Sequence, residues 1–155
     1  MQRVANCVLQ NGNNVLMLKK PRRNWYVAPG GKMESGETIK QSAIREFQEE
    51  TGLTVEDPKL KGVFTFLIYE NEEIVMEWMM FTFYSKEHKG TLLEESKEGE
   101  LEWVPVNEVL SKPMAEGDRA IIKHALQSDE ILYGTFTYTS DYKLLSYQLD
   151  PQIDE

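Results

Sequence analysis

The chain has 155 residues and a mass of 18.0 kDa, which favours a single domain spanning residues 1–155. Its 41% hydrophobic and 28% charged residues are typical of a globular protein and exclude a disordered or fibrous chain. Twenty-six acidic against seventeen basic residues give a net charge of -9, which disfavours binding to DNA or RNA polymers. An acidic protein that acts on a phosphate compound would therefore need divalent cations at its site.

Cysteine content and hydropathy bear on the cellular compartment. The single cysteine, Cys7, excludes an internal disulfide, and the chain is predicted to be cytoplasmic. Residues 1–10 contain only Arg3 as a basic residue, which is not the composition of a signal peptide. No apolar run approaches the roughly 20 residues of a membrane span, so no membrane partner is expected. Monomer and homodimer both remain open.

Two short apolar segments open the chain, at 3–10 and 14–19. They flank Asn11-Gly12-Asn13, and Asn-Gly is a strong signal for a tight hairpin turn. A brief strand at 25–27 is expected to end at Pro29-Gly30-Gly31, because proline and paired glycines interrupt regular structure. These elements predict an antiparallel beginning to the sheet.

The clearest predicted element is a helix at 39–51. Thr38 is followed three residues later by Gln41, which is the pattern of a capping box. Apolar side chains then recur at helical spacing until Gly52, a residue that commonly ends a helix.

The second half of the chain alternates strands with one further helix. The strands are predicted at 63–69, 74–84, 101–104, 133–139 and 143–149, and the helix at 118–126. Hairpins combined with helices predict an α/β fold in which helices cover a mixed sheet.

Three glutamates lie on one side of the first predicted helix. At about 100° per residue, Glu46, Glu49 and Glu50 fall within an arc of about 100° that borders the apolar stripe. Like charges at this spacing destabilise a helix by roughly 0.2–0.5 kcal/mol, and Mg²⁺ or Mn²⁺ would remove the repulsion because these ions prefer oxygen ligands. The alternative is a solvated acidic face with Lys40 and Arg45 as partners.

These glutamates belong to a longer pattern. Gly31 is followed after five residues by Glu37, and after seven more by Arg45-Glu46-Phe47-Gln48-Glu49-Glu50-Thr51-Gly52-Leu53. The pattern resembles the Nudix box, with Phe47 in place of the usual bulky aliphatic residue. The resemblance implies a Nudix-type α/β/α sandwich with a mixed central β-sheet. It also implies hydrolysis of a nucleoside diphosphate linkage, with Mg²⁺ as cofactor and Mn²⁺ as a substitute.

The resemblance assigns roles to individual residues. Glu49 and Glu50 match the principal metal ligands, and Glu46 matches a residue that binds metal or helps to activate water. The carbonyl of Gly30 is implied as a further ligand. Four matched positions are expected to be structural, and they are Gly31, Glu37, Arg45 and Gly52.

Many members of the family use one more carboxylate from a loop outside the box. The competing residues here are Glu94, Glu95, Glu98 and Glu100. Lys97-Glu98-Gly99 ahead of Glu102-Trp103 most resembles the corresponding MutT segment, so Glu98 is predicted to act in catalysis and metal binding. The other three acids are expected to be surface charges.

Weaker motifs outside the box resemble the MutT-like branch, the oxidised-purine nucleoside triphosphate diphosphatases. They are Pro29-Gly30-Gly31-Lys32, Glu102-Trp103, Met114-Ala115-Glu116-Gly117-Asp118, Gly134-Thr135-Phe136 and Leu144-Leu145-Ser146-Tyr147. This implies a small-molecule substrate, 8-oxo-dGTP or a related purine nucleotide, converted to the monophosphate and pyrophosphate. Two alternatives stay open. One is a Nudix hydrolase for other guanine nucleotides, such as ppGpp, pppGpp or GTP, and the other is a catalytically silent nucleotide sensor.

Substrate-binding residues are predicted around the box. Lys32 and Arg23 are candidates for binding phosphate oxygens, with a solvated loop cation as the alternative for Arg23. Asp118 lies where an acid can hydrogen-bond a purine edge, and a helix N-cap is its alternative role. Val27 stands where the mammalian enzymes carry a base-reading asparagine. An apolar slot for the base is predicted from Phe64, Phe66, Trp78, Met80 and Phe81, with core packing as the alternative for most of them.

Overall fold

A computed structural model describes residues 1–152. The strands are β1 (Gln2–Asn11), β2 (Asn14–Lys19), β3 (Tyr26–Val27), β4 (Gly30–Lys32), β5 (Leu53–Glu56), β6 (Lys59–Glu70), β7 (Glu73–Ser85), β8 (Glu87–Gly90), β9 (Glu100–Pro105), β10 (Leu132–Thr139) and β11 (Leu144–Asp150). The α-helices are α1 (Ile39–Thr51) and α2 (Glu116–Gln127), and a short 3-10 helix (Val109–Ser111) precedes α2. Within this part of the chain, neither α-helix is long and apolar enough to cross a membrane.

The central sheet has the strand order β11-β10-β6-β7-β1-β2-β3, with β4 also paired to β1 and β9 to β2. β1 runs parallel to β7, and β10 runs parallel to β6. The pairings β1–β2, β6–β7 and β10–β11 are antiparallel. The sheet is therefore mixed, as the sequence predicted, and β5 and β8 form a separate small sheet.

The middle of β1 is buried on both faces because a helix covers each of them. Cys7 and Leu9 point to one face and join a core cluster with Phe47 of α1. Val8 points to the other face and joins a cluster with Ile122 of α2. Burial raises the pKa of the Cys7 thiol, which keeps it protonated and unreactive.

Local signals position α1 at the predicted bounds. The Thr38 hydroxyl accepts a hydrogen bond from the Gln41 amide at 3.0 Å, and the Gln41 side chain accepts one from the Thr38 amide at 2.9 Å. At the other end, Gly52 has φ +82° and donates its amide hydrogen to the Gln48 carbonyl at 2.8 Å. The capping-box prediction is thus confirmed.

The second helix begins earlier than predicted, at Glu116, with Ala115 as its N-cap. The N-cap interpretation of Asp118 is therefore wrong, because this residue lies inside the first turn. The physical reason is the Tyr138 hydroxyl, which accepts the Gly117 amide hydrogen at 2.7 Å and satisfies a donor that a capping side chain would otherwise take.

Of the five residues predicted for the apolar slot, Phe64 and Phe66 are buried, which agrees with the alternative of core packing. Phe64 and Phe66 join one cluster on the α2 side, with Trp78 and Met80 packed against it, and the rings of Phe66 and Trp78 stack at 5.2 Å. Phe81 packs instead with the α1-side cluster. Including it was wrong, since successive side chains of a strand point to opposite faces of a sheet.

Candidate active site

Arg45 links the acidic residues of α1 to the loop before the helix. Its Nε donates to Glu37 Oε2 at 2.7 Å, and its Nη1 donates to Glu46 at 2.9 Å and to Glu49 at 3.2 Å. Hydrogen bonding from Arg45 lowers the pKa of Glu37 to about 2, and the same contact raises the pKa of Arg45. Both groups therefore stay ionised throughout the physiological pH range.

The loop itself is fastened to the helix by backbone contacts. Arg45 Nη2 donates to the Lys32 carbonyl at 3.1 Å, and the Glu34 amide donates to Glu37 Oε1 at 2.8 Å. The carbonyl of Lys32 is thus engaged, while the residue as a whole is exposed at the end of β4. Binding of phosphate oxygens by the Lys32 side chain stays a prediction.

Glu50, one turn after Glu46 on α1, is partly buried and faces Gly30 rather than Arg45. Its Oε1 accepts a hydrogen bond from the Gly30 amide at 3.1 Å. Burial raises its pKa to about 7, as do the nearby charges of Glu98 and Glu46, whereas the Gly30 hydrogen bond and Lys20 oppose the increase. A divalent cation would compensate both the desolvation and the like charges.

The two glycines before α1 allow close packing. A Cβ atom on Gly30 would overlap the carbonyl oxygen of Ala5 on β1, and one on Gly31 would overlap the carboxylate of Glu46. The structure therefore gives Gly30 a role in strand packing, and ligation of metal by its carbonyl stays a prediction.

The carboxylates of α1 are divided between two partners, Arg45 and the Gly30 amide. No group of three or more His, Cys, Asp or Glu residues within 1–152 is close enough to hold a metal ion. The α1 carboxylates therefore do not converge on one patch as expected, because Glu46 and Glu49 face Arg45 and Glu50 faces Gly30. The donor set still fits a hard cation, since all of its side chains supply carboxylate oxygens.

Glu98 lies near this helix. Its charge contributes to the raised pKa of Glu50, and its Oε2 lies 3.4 Å from the ammonium of Lys20. The sequence interpretation overlooked Lys20. The signal that marks it is the Lys19-Lys20 pair at the end of a predicted strand in an acidic chain.

Comparison with known proteins decides the family. A model of the NUDIX domain matches residues 1–125. The chain belongs to the Nudix hydrolase family. It is 55% identical over 152 residues to the Nudix hydrolase YvcI of Bacillus subtilis, a match that covers 98% of this chain and 96% of that protein.

Two further relatives connect this Nudix hydrolase to MutT proteins. The crystal structure of a MutT protein from Bacillus halodurans has a TM-score of 0.96 and 56% identity, covering 99% of this chain and 100% of that chain. The 8-oxo-dGTP diphosphatase of Escherichia coli is 36% identical over 72 residues, which is 43% of this chain and 54% of that enzyme. The predicted Nudix fold and hydrolase class are confirmed.

Arg23 contacts the aromatic residues Trp25 and Tyr142. Its guanidinium packs over the Trp25 ring at 5.2 Å and the Tyr142 ring at 5.1 Å, and its Nη1 donates to the Asp141 carbonyl at 3.4 Å. These contacts tie the β2–β3 loop to the β10–β11 turn. They give no support to phosphate binding, and Arg23 is exposed, which agrees with the alternative of a solvated loop cation.

Asp118 lies in the first turn of α2, on the opposite face of the Nudix sheet from α1. Burial raises its pKa from 3.8 to about 6. The neighbouring charge of Asp118 contributes to the raised pKa of Tyr138, whose ring stacks with Phe66 at 6.3 Å. The carboxyl group therefore lies beside the buried aromatic cluster on the α2 face.

Proposed function

We propose that this Nudix hydrolase converts 8-oxo-dGTP, or a related purine nucleoside triphosphate, to the monophosphate and pyrophosphate with Mg²⁺ as cofactor. The observation that carries the proposal is Asp118, a carboxyl of raised pKa next to stacked aromatic rings. Similarity to the 8-oxo-dGTP diphosphatase of Escherichia coli supports the choice of base over the shared part of the two chains.

In this proposal the acidic residues hold the cofactor. Glu46, Glu49, Glu50 and Glu98 would bind the divalent cation, together with the carbonyl of Gly30. When bound, the metal supplies positive charge that neutralises the diphosphate oxygens. Arg45 keeps the α1 carboxylates ordered through its hydrogen bonds to Glu46 and Glu49.

The remaining chemistry requires a water molecule and a fixed substrate. The oxygen of water forms a bond to phosphorus, the anhydride bond to pyrophosphate breaks, and a carboxylate accepts the proton of the water. Glu46 and Glu98 are the two candidates for that acceptor. Lys32 provides an exposed ammonium for the departing phosphates.

Recognition of the base would come from the α2 side. A carboxyl with a pKa of about 6 is ionised in most molecules at pH 7, so it accepts hydrogen bonds from ring N–H groups. The ring edges of a guanine-type base carry such donors. Trp78, which is only partly buried and stacks on Phe66 at 5.2 Å, would provide an apolar surface for the ring itself.

A substrate panel tests the proposal. Release of phosphate and pyrophosphate should be measured with Mg²⁺ for 8-oxo-dGTP, dGTP, GTP and ppGpp. We expect the highest kcat/KM for 8-oxo-dGTP, pyrophosphate as the product, and no turnover in EDTA. Faster hydrolysis of ppGpp would favour the alarmone alternative, and nucleotide binding without turnover would identify a sensor domain.

The role of Asp118 has its own test. Asp118→Ala should reduce discrimination between 8-oxo-dGTP and other nucleotides by about 1–3 kcal/mol, because a buried hydrogen bond to the base is lost. Affinity for Mn²⁺ should be unchanged, since the proposed metal ligands lie on β4, on α1 and in the turn that contains Glu98. Asp129→Ala, which changes an exposed acid near the end of α2, serves as the control.

Stability measurements separate this role from a purely structural one. The folded-state pKa of Asp118 lies above its unfolded value of 3.8, so its ionisation makes unfolding easier as the pH rises through about 6. Asp118→Ala should therefore lose base discrimination without losing stability at pH 8. A large decrease in melting temperature with unchanged base preference would contradict the proposal.

A further inference from the structure

Lys20 directly follows β2, and the β2–β9 pairing determines what lies opposite it. The last paired residues are Lys19 and Glu100, so the next position on each side brings Lys20 beside Gly99. A Cβ atom on Gly99 would overlap the Lys19 carbonyl oxygen. The turn that carries Glu98 is therefore packed directly against the end of β2.

Three charged side chains interact where the turn meets β2, and they are Lys20, Glu98 and Glu50. The Lys20 ammonium lies 3.4 Å from Glu98 Oε2, and through space it opposes the increase in the pKa of Glu50. The charge of Glu98 acts on Glu50 in the opposite direction. One ammonium thus interacts with both the loop acid and the helix acid.

The ion pair is easy to break. The Lys20 and Glu98 side chains are 34% and 55% exposed, and an exposed pair of this kind contributes only about 0–1 kcal/mol to stability. A divalent cation has twice the charge of the ammonium and competes for the same carboxylate. Because the backbone of the turn is packed against β2, Glu98 can change partner without a large movement of the chain.

We propose that Lys20 is a positioning residue that holds Glu98 beside the carboxylate helix before the metal binds, and that Glu98 exchanges Lys20 for the divalent cation. The inference rests on the metal-binding role proposed above for Glu98. After the exchange the ammonium remains at the edge of the site, where the phosphates of a substrate are partners of opposite charge.

The test measures metal binding without nucleotide, so it does not depend on the identity of the substrate. Binding of Mn²⁺ is followed by electron paramagnetic resonance of the free ion. Lys20→Met should tighten Mn²⁺ binding by about 2- to 5-fold, because the competing ammonium is absent. Lys59→Met, which breaks the exposed pair with Asp57, is the matched control and should leave the affinity unchanged.

Hydrogen exchange provides a second readout. In Lys20→Met without metal, the amides of residues 96–99 should exchange faster than in the wild type. Saturating Mn²⁺ should remove that difference, because the cation then holds Glu98 in both proteins. Equal exchange in both metal-free proteins would overturn the inference.

A double-mutant cycle assigns the effect to Glu98. In the Glu98→Gln background, Lys20→Met should change Mn²⁺ affinity much less than in the wild type. An equal tightening in both backgrounds would overturn the exchange, since Lys20 would then act only through its general field. Absence of Mn²⁺ binding by the wild type would instead overturn the metal site itself, so the two failures are distinguishable.

Discussion

Glu50→Gln should lower kcat/KM by roughly 10²–10⁴-fold while the fold persists, because Glu50 is a proposed ligand of the divalent cation, which would contribute several kcal/mol of charge stabilisation in the transition state. Glu49→Gln should have an effect of similar size. The measurement is pyrophosphate release over a range of Mg²⁺ concentrations, with circular dichroism to verify folding. Glu70→Gln, which changes an exposed acid at the end of β6, is the control.

The same variant makes a second prediction that a folding defect would not produce. The pKa of Glu50 in the folded protein is about 7, above its ordinary value of 4.5, so ionisation opposes folding as the pH rises through this window. Without metal, Glu50→Gln should therefore be more stable than the wild type at pH 8 by about 1–3 kcal/mol, and equally stable near pH 4. An inactive variant that is also less stable at pH 8 would contradict this account.

Arg45→Met should cause the largest loss of stability among the changes at the site. Removing the guanidinium leaves Glu37, Glu46 and Glu49 without their shared partner, and we expect a lower free energy of unfolding at pH 7. Chemical denaturation with urea measures the effect. Arg3→Met removes an exposed arginine and should be nearly neutral.

The pH dependence of that loss identifies its cause. The folded-state pKa of Glu37 is about 2, below its ordinary value of 4.5, so its pairing with Arg45 stabilises the fold above pH 4.5. This contribution disappears as the pH falls through about 2. The difference between wild type and Arg45→Met should therefore shrink in acid, and a difference independent of pH would show that packing is responsible instead.

Elements with local signals were predicted well from the sequence. The bounds of α1 are correct because Thr38, Gln41 and Gly52 form their hydrogen bonds within one or two turns of the chain. The sequence also contained the information needed to leave Phe81 out of the slot. Successive side chains of a strand point to opposite faces, so Phe81 and Met80 cannot share one face. The first residue of α2 could not be predicted from local sequence, because the hydroxyl that accepts the Gly117 amide hydrogen belongs to Tyr138 on a distant strand.

Contacts between distant segments explain the rest of the differences. Arg23 meets the Asp141 carbonyl across 118 positions of sequence, and Lys20 meets Glu98 across 78. Neither contact leaves a periodic pattern, because both depend on how the strands are ordered in the sheet. Family resemblance singled out Glu98 but could not show that a lysine holds it.

Because α1 and α2 pack on opposite faces of β1, the α1 glutamates proposed to bind metal and Asp118, proposed to bind the base, belong to separate helices. Arg45 has its contacts on the α1 side, whereas Asp118 and Tyr138 lie on the α2 side. Changes that share no partners have additive effects on free energy. Substitutions around Asp118 should therefore retune which base is accepted while the metal requirement stays constant. A change in base specificity could then evolve, or be engineered, through substitutions in α2 and β10 while the residues of α1 stay the same.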